Sequence, residues 1–140
     1  MIYSHIHIDK YDWDVFCYFA VEGYYLDDIM EKLWEIGCDS NNARRAYDSI
    51  SNGGLNTGLC YSNGKTRSTV LVTALTSNSS EFTNSFVHEI THCATHIAKH
   101  SNIDTHSEEF CYLNGDLAMF LYPVVGHLLC DCCRKDYLKH

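Results

Sequence analysis

The chain is poor in proline and in basic residues: one Pro in 140 residues, and 10 Lys plus Arg against 18 Asp plus Glu, for a formal charge of -8. A single proline excludes Pro-rich linkers and polyproline segments, and no internal repeat or low-complexity block points to a solenoid. The basic deficit, with no run longer than Arg44-Arg45 or Arg134-Lys135, argues against unaided binding to nucleic acid or to anionic membranes. No stretch reaches the ~18 consecutive apolar residues of a membrane span. The opening MIYSHIHIDKYDWD has neither the basic start nor the apolar run of a secretory signal, so a cytoplasmic protein is expected.

What the chain does contain is the composition of one folded unit spanning 1–140: 46% hydrophobic and 20% charged residues, with 8 Cys, 9 His and 10 Tyr. In a reducing compartment the eight cysteines are expected as thiols, and their irregular spacing suggests no disulfide scaffold. Ile2, Ile6 and Ile8 alternate with Tyr3, His5 and His7, and 15–21 is an aromatic, β-branched run, so both read as strands, the second buried on two faces. Leu26, Ile29, Met30, Leu33, Trp34 and Ile36 recur at helical spacing behind Asp27 and Asp28, with Gly37 as the stop. A second helix is expected from a Ser40 cap to Gly53-Gly54. Residues 58–61 and 67–75 flank Ser62-Asn63-Gly64 and read as a hairpin. Asn78 with Glu81 resembles a capping box, opening a helix to about Lys99 on which Phe82, Phe86, Ile90, Cys93 and Ile97 face inward. Another helix is expected from Ser107 until Pro123 ends it, and 124–137 as a short docking helix.

Residues 88–92 read His-Glu-Ile-Thr-His. On a helix His88 and His92 share one face, so two imidazole nitrogens can converge on one Zn²⁺ at about 2.0–2.1 Å. Glu89 falls beside them, placed to deprotonate a water without ligating the metal. A chain of this composition would hold the pattern by accident only about 0.03 times. His96 and His100 continue the spacing, but His96 is about 12 Å along the axis from His88, too far to share its metal. Both read as solvated histidines on the helix flank. Ala98 and Thr95 occupy the positions where an extended three-histidine motif needs His and Gly. A third ligand can come from the acidic start of the next helix, Ser107-Glu108-Glu109, if Gly115 lets the two helices approach closely.

His-Glu-x-x-His followed by a glutamate on a second helix resembles the gluzincin branch of the zincin metallopeptidases. Among these, the segment from Glu109 to Leu117 is similar to the glutamate helix of small peptidases associated with phage-type repressors. The stretch 58–115 also resembles small zincin-like proteins of gut bacteria and their phages. The resemblance implies Glu109 as third ligand, with Phe110 in place of the family's small residue keeping Glu108 in contention. It further implies an α+β domain in which a short antiparallel sheet packs on the metal helix and the glutamate helix, one Zn²⁺ as cofactor, and a peptide or protein substrate. In zincins the strand before the metal helix often takes up an extended peptide, which here would be 67–75, as readily an ordinary interior strand. Asp116 could orient a ligand imidazole, and Tyr112, His106 or Tyr122 could support a transition state. His127, Cys130, Cys132 and Cys133 offer zinc-type donors, yet adjacent cysteines rarely chelate together, and they read rather as small hydrophobes of the docking helix. The expected activity is therefore zinc-dependent peptide hydrolysis with Glu89 as general base, against the alternative of a non-catalytic zinc-binding partner module.

Overall fold

The computed structural model describes residues 1–22, 25–51 and 58–138. In chain order these form β1 (Ile2–Ile8), β2 (Trp13–Val21), α1 (Leu26–Glu35), α2 (Ser40–Ser51), β3 (Gly58–Asn63), β4 (Ser68–Ala74), α3 (Ser79–Ser101), α4 (Glu108–Val125) and α5 (Asp131–Leu138). The fold is α+β, as expected. Its sheet has the order β1-β2-β4-β3. It is mixed rather than antiparallel: β2 and β4 run parallel, while β1 and β3 pair antiparallel at the two edges. The parallel step follows from the chain path, because α1 and α2 lie between β2 and the hairpin and carry the chain back across one face.

Alternation along the two inner strands divides the core. Val15, Cys17, Phe19 and Leu71 join Phe82, Phe86, Ile90, Ile97, Leu113 and Leu117 under α3 and α4. Tyr18, Val21, Val70 and Val72 join Ile29, Leu33, Ala43, Ala46 and Ile50 under α1 and α2. Each inner strand thus buries both faces, as its unbroken apolar run implies. At the end of α1, Gly37 adopts φ +89 while the Cys38 N–H reaches the Leu33 carbonyl and the Gly37 N–H the Trp34 carbonyl. This is the left-handed helix stop that a glycine there anticipates. The Gly53-Gly54 end expected for α2 lies outside the described residues.

The hairpin turns over four residues, 64–67, since Asn63 pairs with Ser68. The Asn78 side chain accepts the Glu81 N–H at 2.9 Å, and Glu81 in turn accepts the Ser77 N–H, so α3 starts on a slightly shifted capping box. α4 begins on a Ser107 cap but does not stop at Pro123, which sits inside it. A proline that close to the helix end removes one hydrogen bond, with only two further residues left to carry.

Candidate metal centre

α3 is held against the hairpin by a polar chain crossing three strands. The Trp13 indole donates to Thr69 Oγ1 at 2.9 Å, Thr69 meets Ser62 Oγ at 2.7 Å, and Ser62 meets His96 Nδ1 at 2.7 Å. His96 is therefore half-buried against β3 rather than solvated, with Cys60 Sγ 3.8 Å from the same nitrogen. Burial, reinforced by His92, His100 and Lys99, lowers its pKa and favours the neutral ring. His100 is exposed, with its ring 5.7 Å from Trp13.

One and two turns earlier on the same flank, His92 and His88 point outward, their Nε2 atoms 3.2 Å apart. Two ligands of a tetrahedral zinc at 2.0–2.1 Å stand about 3.3 Å from each other, a separation the pair already has. Glu89 turns the other way. It is 3% exposed, with Oε1 3.7 Å from His88 Nε2, and Oε2 has no hydrogen-bond partner. A carboxylate oxygen buried without a partner costs about 1–3 kcal/mol. Burial raises the Glu89 pKa above 4.5, partly offset by His88. The cover over Glu89 is the start of β3: a Cβ on Gly58 would lie 2.1 Å from the Val72 carbonyl oxygen and 3.0 Å from Glu89 Cγ. Gly58, at φ +153, is thus the residue that lets the edge strand close over the carboxylate.

No family model, curated protein or solved structure matches this chain. The site is accordingly read from its own geometry.

The structure does not bring Glu108 or Glu109 to the histidine pair. Glu109 Oε1 accepts the Tyr11 hydroxyl at 3.1 Å and lies 3.5 Å from Lys10 Nζ, just past the end of β1. His88 and His92 flank β3, and β1 and β3 are opposite edges of the sheet, about 14 Å apart by strand spacing. Among the described residues no three His, Cys, Asp or Glu side chains converge as a metal site. Gly115, expected to permit close helix packing, is exposed, and a Cβ there would meet nothing within 4 Å. Asp116, Tyr112 and Glu108 are exposed and line, with Glu109, a cavity of about 950 Å³ between β1 and α4, away from the imidazoles. The expected peptide-accepting strand also changes. β4 is paired on both sides, whereas among the described residues β3 bonds only to β4. Strand order, absent from a hydrophobic pattern, decides this.

The C-terminal cysteines are not core hydrophobes: Cys130, Cys132 and Cys133 are all exposed, and α5 buries none of its residues. The His127 ring lies 5.0 Å from that of Tyr137, tilted by 55°. The spacing Cys130-x-x-Cys133 is the sequence signal of a thiol pair in this segment.

Proposed function

We propose that the chain is a zincin-like, zinc-dependent metallopeptidase that binds Zn²⁺ through His88 and His92 and uses Glu89 as general base. The observation that carries this reading is the buried Glu89 carboxylate, whose Oε2 has no hydrogen-bond partner, beside an imidazole pair whose Nε2 atoms stand at zinc-ligand separation. Zinc, when bound, supplies a Lewis acid that acidifies water and polarises a carbonyl. Glu89 does the proton work: its carboxylate takes a proton from the attacking water and hands it to the leaving amine, which a base with a pKa raised by burial does more readily than a solvated glutamate. The outer edge of β3 suits a substrate taken up in extended form. A peptide hydrogen-bonded there runs along the flank of α3 that carries His88 and His92. The third ligand is assigned to a carboxylate, with Glu109 and then Glu108 as candidates by family resemblance; their position at the β1 edge requires α4 to shift or another donor to take that place.

The same missing third donor favours a second reading, in which a partner protein completes the coordination and no hydrolysis occurs. Glu89→Gln separates the two. Hydrolysis predicts loss of cleavage of a peptide library by about 10²-fold or more with zinc content unchanged. Undiminished cleavage in this variant, or no cleavage by the zinc-loaded wild type, overturns the peptidase reading.

A further inference from the structure

Cys130, Asp131, Cys132 and Cys133 open α5, and the Arg134 N–H donates to the Cys130 carbonyl at 2.8 Å, which makes Cys130 the cap residue of the helix. Its side chain thus stands at the position from which a capping group faces the first N–H groups of the helix. Cys133 follows three residues on, so the two thiols share the first turn. All three cysteines are exposed, and α5 buries none of its residues. The turn is fixed in place: Asp131 Oδ1 accepts the Ser79 N–H at 3.0 Å at the start of α3, and Arg134 donates to the Thr76 carbonyl.

We propose that Cys130 and Cys133 form a redox-active dithiol that exchanges with disulfides, Cys130 attacking and Cys133 resolving. The Cys130 thiolate attacks one sulfur of a disulfide RS–SR; a Cys130–SR bond forms, the S–S bond breaks, and one RS⁻ leaves and takes up the proton that Cys130 gave to water. Cys133 then loses its proton to water and attacks Cys130 Sγ. The intramolecular disulfide forms, and the second RS⁻ leaves and is protonated. Two thiols of the chain are oxidised by two electrons, and the incoming disulfide is reduced to two thiols. The division of roles follows from position. The capping N–H groups hold Cys130 below the ordinary thiol pKa of 9.0 against the opposing charge of Asp131, while the neighbouring Cys130 sulfur pushes Cys133 above it. Cys111 is the internal control, exposed on α4 and outside this arrangement.

Oxidised glutathione is the probe, with intact-mass and peptide mapping of the full chain. The wild type is expected to lose two hydrogens with the link mapped to Cys130–Cys133, Cys133→Ser to trap one glutathione on Cys130, and Cys132→Ser to behave as wild type. Cys130 is expected to alkylate severalfold faster than Cys111 at neutral pH. The proposal is overturned if the adduct in Cys133→Ser sits elsewhere, if the link recruits Cys132, if Cys130 reacts no faster than Cys111, or if stoichiometric zinc blocks both thiols and marks them as metal ligands. The substituted side chains are exposed, and circular dichroism of each variant confirms that the fold is kept. A peptide library is cleaved or not independently of these outcomes, since the dithiol shares no residue with the histidine pair.

Discussion

Asp14 shows how single side chains tie this sheet together. It lies on β2 opposite His7, and its Oδ1 accepts from His5 Nε2 at 2.7 Å and His7 Nδ1 at 2.9 Å. Burial pulls the Asp14 pKa up, but the two histidine hydrogen bonds outweigh it and hold the group below 3.8, while the Asp14 hydrogen bond raises His7 above 6.5. The lowered carboxylate stabilises the fold above its unfolded value and loses that contribution as pH falls through the folded one. The raised imidazole stabilises below 6.5 and loses it as pH rises through its folded value. The contribution is thus complete only between pH 3.8 and 6.5. Asp14→Asn is expected to lower the denaturation midpoint at pH 5.5 and to change it less at pH 8.5; an equal loss at both would remove His7 from the account. His88, Glu89 and His92 belong to the same scale and were legible in the sequence, because a helix repeat alone decides which residues one turn apart share a face. That Glu89 is buried, with Oε2 lacking a hydrogen-bond partner, was not legible. It depends on Gly58, distant in sequence and brought over it by strand pairing.

At the scale of elements, two glycines give opposite expectations. Gly58→Ala forces a methyl group onto the Val72 carbonyl and Glu89, so the β3 edge must move; a loss of about 2–3 kcal/mol by chemical denaturation is expected, with weaker zinc binding. A neutral Gly58→Ala would show that β3 does not close the site. Gly115→Ala, in an exposed helix interior with open space around it, should stabilise by about 0.5–1 kcal/mol, and a destabilisation would reveal a contact of α4 not described here. Most strands and helices lie close to the bounds that local periodicity and caps predict, with Gly37, Asn78 and Ser107 acting where the sequence places them; α5 is an exception, beginning at Asp131 rather than near 124. What local signals could not carry was pairing. The hairpin was visible, yet which of its strands lies inside the sheet depends on β2, more than forty residues earlier in the chain. Pro123 misled for a related reason, since a proline signal does not say how little helix remains beyond it.

Across the whole molecule, the sheet separates two margins. The β3 edge lies beside buried Glu89 of α3, while the β1 edge borders the cavity lined by Tyr11, Glu109 and Tyr112. Among the described residues no single helix is long and apolar enough to cross a membrane. The α4 helix packs on α3, as the resemblance implies, but its acidic start faces Lys10 and Tyr11 rather than the histidine pair. The central claim is that this fold holds zinc through two histidines of α3. The direct measurement is the zinc content of the dialysed full chain, wild type beside a His88→Ala, His92→Ala double variant that keeps its helical circular dichroism. One zinc per wild-type chain and none in the variant is the predicted result; equal zinc in both, or none in either after loading, would contradict it.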